Sequence, residues 1–303
     1  MLNTVYTLAK TIVGEPNAKL NEPMCAHTTF RVGGNADLYL IPQTTSQLIA
    51  LIKLFRQTGF DYYVIGNGSN ILVGDKGVRG AVIEIGKSLG ETNVTGEVIE
   101  AQSGILLSKL ANVAADNGLS GLEFASGIPG SFGGAVYMNA GAYGGEMKDV
   151  VESVTYLDDK TEVQEIPASK CEFGYRHSFF TDTDYIILSA KIRLEPKDRE
   201  KIREYMRELT QKRVSKQPVD KASGGSTFKR PEGYFAAALI EEAGLKGYAV
   251  GGASVSEKHS GFVVNNGNAT AADVVKVIEH VRETVKKYNG VELETEIKFL
   301  GEF

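Results

Sequence analysis

The feature that most constrains this chain is a stretch of small residues from Ser126 to Gly145, with the sequence SGIPGSFGGAVYMNAGAYGG. Its glycines stand at positions 127, 130, 133, 134, 141, 144 and 145. Glycine loses more backbone entropy on ordering than any other residue, so this density predicts a loop rather than a helix or a strand. Few charges lie between the glycines. Such a loop offers mainly backbone N–H groups, which favours a phosphate or pyrophosphate ligand.

A second small-residue stretch, GNGSN at 66–70, has a similar character. Neither stretch fits a familiar phosphate-binding motif. A Walker A loop ends in Gly-Lys-Ser/Thr, whereas Gly133-Gly134 lead into Ala135. A dinucleotide-binding Rossmann turn needs a third glycine that GNGSNI lacks, and ILV at 71–73 predicts a further strand instead. An ordinary surface loop is the alternative for either stretch alone, but two in one chain favour a nucleotide-type cofactor.

Composition narrows the class of protein. The 303 residues are 42% hydrophobic with a formal net charge of -5, and this length suggests two or three domains. The mild charge, without any basic block, argues against nucleic acid or an anionic membrane as a partner. No apolar run of about 18 residues and no signal peptide is visible, so we expect a cytoplasmic enzyme without membrane insertion.

The cysteines and histidines indicate no metal chemistry. Cys25 and Cys171 are far apart and form no C-x-x-C pair, so both are expected to be small buried or half-buried thiols. The four histidines form no H-x-x-x-H or H-E-x-x-H pattern. We therefore expect no metal site.

Periodicity and capping residues predict a mixture of helices and strands. Helices are expected within 1–22, from Ser46 to Gly59, and over 106–116, 198–213, 236–243 and 271–289. The first helix should have Val5, Leu8 and Ile12 on one apolar face. The charged helix at 198–213 should bury Ile202, Tyr205, Met206 and Leu209. Strands are expected at 38–41, 62–65, 81–85, 98–101, 151–157, 185–194, 261–264 and 291–300. Alternation in the last strand places Glu296 on a polar face, opposite Leu293, Ile297 and Phe299.

Six motifs, in order along the chain, resemble the UDP-N-acetylenolpyruvoylglucosamine reductase family of flavoenzymes. They are GNGSNILV from Gly66, SGIPGSFGGAVYMNAGAYGG from Ser126, YRHSFF from Tyr175, GGSTFKRP from Gly224, EEAGLKGYAVGGASVSEKHSGFVVNNGNAT from Glu241 and ELETEIKFLGE from Glu292. The resemblance extends from about Asn21 to the C-terminus. It is to the short, second type of the family.

The resemblance implies an α+β fold: a two-part FAD-binding region of the vanillyl-alcohol-oxidase (PCMH) type plus a C-terminal α+β substrate domain. The parts are expected at residues 1–85, 86–196 and 197–303. FAD would be bound non-covalently and NADPH would be the co-substrate. The implied reaction reduces UDP-N-acetylglucosamine enolpyruvate to UDP-N-acetylmuramate in peptidoglycan precursor synthesis. We expect a monomer whose partners are these small molecules.

The resemblance also implies three catalytic residues. Ser226 matches the proton donor, although a serine in a Gly-rich loop is by itself typical of a turn. Arg176 matches the residue that pairs with the developing carboxylate charge, and the aromatic residues around it favour a partly buried position over a surface ion pair. Glu296 matches the acidic catalytic residue, although its alternation alone predicts a solvated carboxylate.

The same resemblance assigns binding residues. Those expected at the cofactor are Arg31, Gly33, Gly66, Asn67, Gly68, Ser69, Asn70, Gly127, Ile128, Pro129, Gly130, Ser131, Gly133, Gly134, Asn139, Ala140 and Gly141. Those expected at the UDP-sugar are Tyr175, Lys216, Lys229 and Arg230. An exposed helix or loop charge is the alternative for each lysine.

Three positions depart from the family pattern. Lys298 stands where many relatives carry Arg, Thr227 stands where a larger apolar residue is usual, and VDKASGG at 219–225 is more polar than its counterparts. An FAD-dependent oxidase or dehydrogenase on the same scaffold is one alternative function. A catalytically silent nucleotide-sugar sensor is the other.

Overall fold

The computed structural model describes all residues, 1–303. The seven α-helices are α1 Leu2–Val13, α2 Thr45–Thr58, α3 Leu107–Asp116, α4 Phe132–Tyr137, α5 Arg199–Lys216, α6 Ala236–Glu242 and α7 Ala271–Asn289. The strands are β1 Ala18–Pro23, β2 Asn35–Leu40, β3 Tyr62–Ile65, β4 Ile71–Val73, β5 Val78–Glu84, β6 Thr92–Thr95, β7 Val98–Gln102, β8 Leu119–Ser120, β9 Gly141–Ala142, β10 Gly145–Glu146, β11 Val151–Leu157, β12 Val163–Pro167, β13 Ile186–Arg193, β14 Glu195–Pro196, β15 Ala222–Ser223, β16 Ala249–Val250, β17 Ala253–Val255, β18 Val263–Asn265 and β19 Lys298–Leu300. None of the helices has both the length and the apolar character that a membrane span requires.

These elements form two compact units that alternate along the chain. The first unit comprises Met1–Lys19, Leu38–Asn67 and Gly80–Lys212, and the second comprises Leu20–Asp37, Gly68–Arg79 and Arg213–Phe303. The division of the chain into contiguous domains at residues 85 and 196 stays a prediction.

The first unit contains an antiparallel sheet of order β12–β11–β13–β7–β6. Helices α3 and α4 contribute to its core, where Leu110, Phe132 and Ile192 are fully buried. The predicted strands at 98–101, 151–157 and 185–194 are confirmed. The β12 strand was not predicted, because it is an edge strand whose residues are mostly exposed and which ends at Pro167.

The first unit has a second core, in which buried residues of α1 and α2 pack with Leu40, Ala81 and Ile83. The α2 helix and its end at Gly59, which adopts the left-handed conformation, are confirmed. The Thr44 hydroxyl, which was not predicted as a cap, accepts the Gln47 N–H at the start of the helix. The α1 helix is also confirmed, but Leu8 is exposed while Val5 is buried. The face of such a short helix is set by what covers it, which periodicity does not show.

The charged helix α5 shows the same kind of difference. Ile202 and Leu209 are buried as expected, but Tyr205 is exposed. A highly charged helix leaves few apolar positions, so its buried face is narrower than the pattern predicted.

One part of the glycine-rich stretch is helical, which corrects the prediction of a loop throughout. Helix α4 includes Gly133 and Gly134. The Gly133 N–H donates to the Ser103 carbonyl at 2.8 Å, and a Cβ at Gly133 would lie 2.5 Å from the Ser103 Cβ. Glycine is therefore present here because the helix backbone lies directly against the segment after β7, an approach that any side chain would prevent.

The second unit packs α6 and α7 with an antiparallel sheet of order β15–β18–β17–β16. Helix α7 begins and ends as predicted, with a reciprocal capping box between Thr270 and Asp273 and with Gly290 in the left-handed conformation. The Asp75 carboxylate adds a second cap by accepting the N–H groups of Ala271 and Ala272 at 2.7 and 2.9 Å.

The C-terminal segment departs from the predicted ten-residue strand. Only β19 is a strand, and it pairs in parallel with β4. Alternation fails because Glu296 and Ile297 are both buried, at 9% and 2% exposure, while Phe299 is 45% exposed. A segment that leaves a sheet no longer places successive side chains on opposite faces.

Candidate active site

The two glycine-rich stretches contact each other through residues 66–67 of one and 129–131 of the other. The Asn67 side-chain amide donates to the Pro129 carbonyl at 2.5 Å. A Cβ at Gly66 would lie 2.0 Å from the Ser131 Oγ. The structure thus brings together residues 66–67 and 129–131, as the expectation of one shared ligand requires.

Backbone donors are available along both stretches. The N–H groups of Asn67, Gly68 and Ser69 donate to no protein acceptor. The same holds for those of Gly127, Gly130 and Ser131. Within the first unit, the unpaired N–H groups of Asn67, Gly127, Gly130 and Ser131 are suited to the oxygens of a pyrophosphate.

Two buried hydroxyls that the sequence did not single out lie beside these stretches. Ser103 is 3% exposed and Thr28 is 7% exposed, and neither Oγ has a hydrogen-bond partner in the protein. The Ser103 Cβ lies against Gly133, and the Thr28 Cα would lie 3.1 Å from a Cβ at Gly68. Buried hydroxyls are nearly always bonded, so the Ser103 hydroxyl together with the backbone donors of the first unit fits a bound dinucleotide cofactor, and the Thr28 hydroxyl is a second orphan within the second unit. A lone Ser or Thr carries no sequence signal of this kind.

The remaining residues expected at the cofactor differ from one another in burial and in what they contact. Arg31 is exposed and has a positive φ of 56°, and Gly33 lies against Val73, where a Cβ would come within 2.6 Å of the Val73 Cβ. Ile128 is half-buried and Ala140 is buried. Gly141 pairs with Glu146 in the β9–β10 hairpin. Their contact with a cofactor stays a prediction.

Asn139 has a side chain that is fully engaged within the protein. Its Nδ2 donates to Glu146 Oε2 at 2.8 Å and to the Gly174 carbonyl at 2.9 Å, while its Oδ1 accepts the Lys148 N–H at 2.9 Å. A primary amide offers two donor hydrogens and one acceptor oxygen. A cofactor contact from Asn139 would therefore have to come through its backbone.

Arg176 lies on a tight turn. The N–H and carbonyl groups of Gly174 and His177 bond each other at 3.0 and 3.3 Å, which places Tyr175 and Arg176 at the tip. Arg176 has a φ of 55° and its guanidinium lies 5.3 Å from the centre of the Tyr175 ring. Arg176 is half-buried, as expected, whereas Tyr175 is exposed.

Ser226 and Glu296 lie on two neighbouring segments of the second unit. The Glu296 N–H donates to the Thr227 carbonyl at 2.8 Å, and the Lys229 N–H donates to the Glu294 carbonyl at 2.8 Å. The Asn70 side-chain amide donates to the Glu296 carbonyl at 3.1 Å. The structure therefore brings a residue expected at the cofactor beside the segment of an expected catalytic residue. Burial of Glu296 also corrects the expectation of a solvated carboxylate.

Thr227, one of the departures from the family pattern, is fully accommodated. It is completely buried, its N–H donates to the Gly261 carbonyl at 2.8 Å, and its hydroxyl accepts the Val263 N–H at 2.9 Å. Of the two glycines before Ser226, Gly224 is required by packing, since a Cβ would lie 2.5 Å from the Phe30 ring. Gly225 has open space around it and a φ of 80°, so its conformation is what requires glycine.

The cationic residues expected at the UDP-sugar differ in their partners. Lys229 forms an ion pair with Glu294 at 2.9 Å, and this hydrogen bond lowers the pKa of the Glu294 carboxyl. The Arg230 guanidinium stacks over the Phe235 ring at 4.1 Å. Lys216 is exposed at the end of α5. Their roles in binding stay predictions.

Both cysteines have the environment expected of them. Cys25 is half-buried and Cys171 is buried, and neither forms a disulfide. Burial raises the pKa of the Cys171 thiol to about 11, so this thiol stays protonated at neutral pH.

Comparison with known proteins identifies the class first. A model of the FAD binding domain matches residues 36–167. A solved alkyldihydroxyacetonephosphate synthase shares the fold at a TM-score of 0.50 and 14% identity, over 64% of this chain and 40% of that one. These matches define the class of protein as one with an FAD binding domain.

The family follows from closer matches. A model of the UDP-N-acetylenolpyruvoylglucosamine reductase C-terminal domain matches residues 217–300. The reductase of that name from Agathobacter rectalis is 54% identical over 93% of this chain and 94% of its own, and that from Caldanaerobacter subterraneus is 50% identical over 97% of each. The crystal structure of the Thermus caldophilus enzyme aligns with a TM-score of 0.80 at 36% identity, over 93% of this chain and 98% of that one. This chain belongs to the UDP-N-acetylenolpyruvoylglucosamine reductase family, and the predicted family, fold class and FAD cofactor are confirmed.

Proposed function

We propose that this chain catalyses the NADPH-dependent reduction of UDP-N-acetylglucosamine enolpyruvate to UDP-N-acetylmuramate, a step of peptidoglycan precursor synthesis. The names of its relatives support this reaction. The observation that carries the proposal is the hydrogen-bonded pairing of the segments that hold Ser226 and Glu296. The expected cytoplasmic location and monomeric state stay predictions.

FAD, when bound, supplies the hydride chemistry that links NADPH to the enolpyruvyl group. The chain itself has to deliver a proton to the substrate carbon that becomes electron-rich. Ser226 suits this task because its half-buried hydroxyl makes no hydrogen bond to another protein group. A serine is a weak acid in water, but it can donate to a strongly basic carbon in an oriented site from which water is excluded.

Glu296 provides a carboxylate in the same unit. Its main chain is fixed on both sides, by Thr227 through its N–H and by Asn70 through its carbonyl. Burial of the side chain limits the water around it, which strengthens any electrostatic interaction that it makes with substrate. We assign Glu296 to polarising the enolpyruvyl group or holding the proton path.

Arg176 has the chemistry to stabilise the charge that develops on the substrate carboxylate. Its guanidinium presents paired donors in a plane that matches a carboxylate. The stacked Tyr175 ring limits the directions in which the side chain extends. Arg176 thus supplies charge stabilisation while Ser226 supplies the proton.

The UDP moiety needs cationic and aromatic partners. Tyr175 and Lys216 are exposed and suit this role. Lys229 would first have to exchange its partner Glu294 for a phosphate, and Arg230 would bind from its position over Phe235. We therefore propose Lys216 as the stronger phosphate contact.

Anaerobic stopped-flow absorbance tests the proposal. The FAD-loaded protein is mixed with NADPH and then with UDP-N-acetylglucosamine enolpyruvate. Bleaching of the flavin band by NADPH and its recovery with the enolpyruvyl substrate support the proposed reaction. Recovery with oxygen alone would instead support an oxidase, and ligand binding without NADPH oxidation would support a sensor.

A further inference from the structure

Asn139 joins three segments of the first unit. It follows α4 within the glycine-rich stretch, bonds to Glu146 and the Lys148 N–H in and after the β9–β10 hairpin, and bonds to the Gly174 carbonyl. The residue is 1% exposed. Its amide is therefore a buried junction whose partners are all protein groups.

The chemistry of this junction is specific to asparagine. The residue has a φ of 46°, in the left-handed region that asparagine and glycine tolerate best. Its two donor hydrogens face a carboxylate and a carbonyl, while its oxygen faces an N–H group. An aspartate would place a second carboxylate against Glu146 and could not donate to Gly174.

The Gly174 carbonyl belongs to the turn that presents Arg176. Two main-chain hydrogen bonds between Gly174 and His177 close that turn. Arg176 also adopts a strained positive φ within it, and such a conformation persists only where surrounding contacts enforce it. The Asn139 amide supplies a contact of this kind, from a buried and rigid position.

We propose that Asn139 is a positioning residue for Arg176: its side-chain amide holds the 174–177 turn so that the guanidinium meets the substrate carboxylate. This inference rests on the proposed function, because it assigns Asn139 a part in the charge stabilisation by Arg176. It also replaces the expectation that the Asn139 side chain contacts the cofactor.

The test uses two substitutions that separate backbone from side chain. Asn139→Gly keeps the left-handed backbone accessible and removes the amide, while Asn139→Asp keeps the acceptor and removes both donors. Asn21→Gly is the matched control, because Asn21 is an exposed asparagine with a φ of 53°.

For both Asn139 variants we expect flavin content and the rate of flavin reduction by NADPH to stay within about 2-fold of wild type. The value of kcat/KM for the enolpyruvyl substrate should fall about 10-fold or more, as for a lost hydrogen bond that orients a charged group. Trypsin, followed by mass spectrometry of the fragment that ends at Arg176, should cleave the holoprotein variants about 10-fold faster because the turn opens more often. The control should match wild type in every measurement.

A double-mutant cycle decides whether Asn139 acts through Arg176. In an Arg176→Ala background, Asn139→Gly should lower kcat/KM by less than about 2-fold, because the group that it positions is gone. Fully additive losses would overturn the inference, as would loss of flavin from Asn139→Gly or wild-type kcat/KM in that variant. If wild type itself shows no turnover with the enolpyruvyl substrate, the proposed function fails, and the inference that depends on it fails too.

Discussion

The Arg176 turn in the first unit and the Ser226–Glu296 pair in the second are held in place by different kinds of contact. The turn depends in part on the amide of one side chain, Asn139, which donates to the Gly174 carbonyl. The segments that carry Ser226 and Glu296 are joined by main-chain hydrogen bonds, such as that from the Glu296 N–H to the Thr227 carbonyl. Main-chain hydrogen bonds survive most substitutions, whereas a single substitution of the residue that donates a side-chain hydrogen bond removes that bond. The second arrangement should therefore tolerate changes to its own functional side chains, while the first should be sensitive to changes in its neighbours.

Ser226→Ala gives the largest expected effect and tests the robustness of the second arrangement. Recovery of flavin absorbance with the enolpyruvyl substrate should slow by about 10²- to 10⁴-fold, the usual contribution of a positioned proton donor. Flavin reduction by NADPH and the thermal midpoint should stay unchanged, because no main-chain bond is altered. Ser88→Ala, which removes the hydroxyl of a half-buried serine bonded to Gln43, is the matched control. Equal slowing of both half-reactions would contradict the proton-donor role.

Gly133→Ala tests the dense packing of the first unit. The new Cβ would lie 2.5 Å from the Ser103 Cβ, so we expect the free energy of unfolding to fall by about 1–3 kcal/mol, as for other overpacked sites. Urea unfolding of the purified holoprotein measures this change. Adding Ser103→Gly should recover much of the loss, because it removes the atom that is struck. No recovery in the double variant would mean that the strain lies elsewhere.

A pH dependence is expected from Cys171, whose carbonyl accepts the Phe179 N–H at 2.7 Å in the segment that carries the Arg176 turn. Its pKa is raised from an ordinary value of 9.0 to about 11 in the folded state. The folded state therefore retains a proton that the unfolded state loses, and stability that is complete below pH 9 declines as the pH rises towards 11. The decline attributable to this thiol should be about 2 kcal/mol. Urea unfolding at several pH values measures it, and the total decline in the free energy of unfolding between pH 9 and 11 should be smaller by that amount, with a shallower slope, in Cys171→Ala. An equal slope in both proteins would refute this account.

Lys229→Ala should have the smallest effect, and it tests whether the second arrangement tolerates the loss of a side-chain contact. The Lys229–Glu294 pair is largely exposed, and the same two residues are also joined through their main chains. Exposed ion pairs contribute little to stability, so the urea midpoint should not change measurably. The KM for the UDP-sugar should change less than in Lys216→Ala, if Lys216 is the stronger phosphate contact. The reverse order of KM values would reassign the phosphate site to Lys229.

Much of the fold was predictable because its signals are local. The caps of α2 and α7 lie in the sequence beside the helices that they end, and the β3 and β11 strands are bounded as their side-chain patterns predicted. The family was predictable for a different reason: several modest motifs in a fixed order are jointly specific. None of these inferences requires knowledge of which segments touch.

The candidate site was predictable only in part. Sequence motifs selected Arg176, Ser226 and Glu296, but they could not show that Glu296 is buried or that Ser103 and Thr28 are orphaned hydroxyls. The close approach that requires glycine at position 133 involves Ser103, which is distant in sequence. Each of these properties belongs to a pair of segments rather than to one.

The sequence by itself thus determined the family, the FAD-binding class and most helices and strands, since local hydrogen bonds, side-chain periodicity and motif order are written along the chain. Only the tertiary structure decided what Asn139 bonds to, because its amide selects between a cofactor and the Gly174 carbonyl according to distances that folding creates. Hydrogen bonds act over about 3 Å, so their partners are determined by which distant segments the fold brings together.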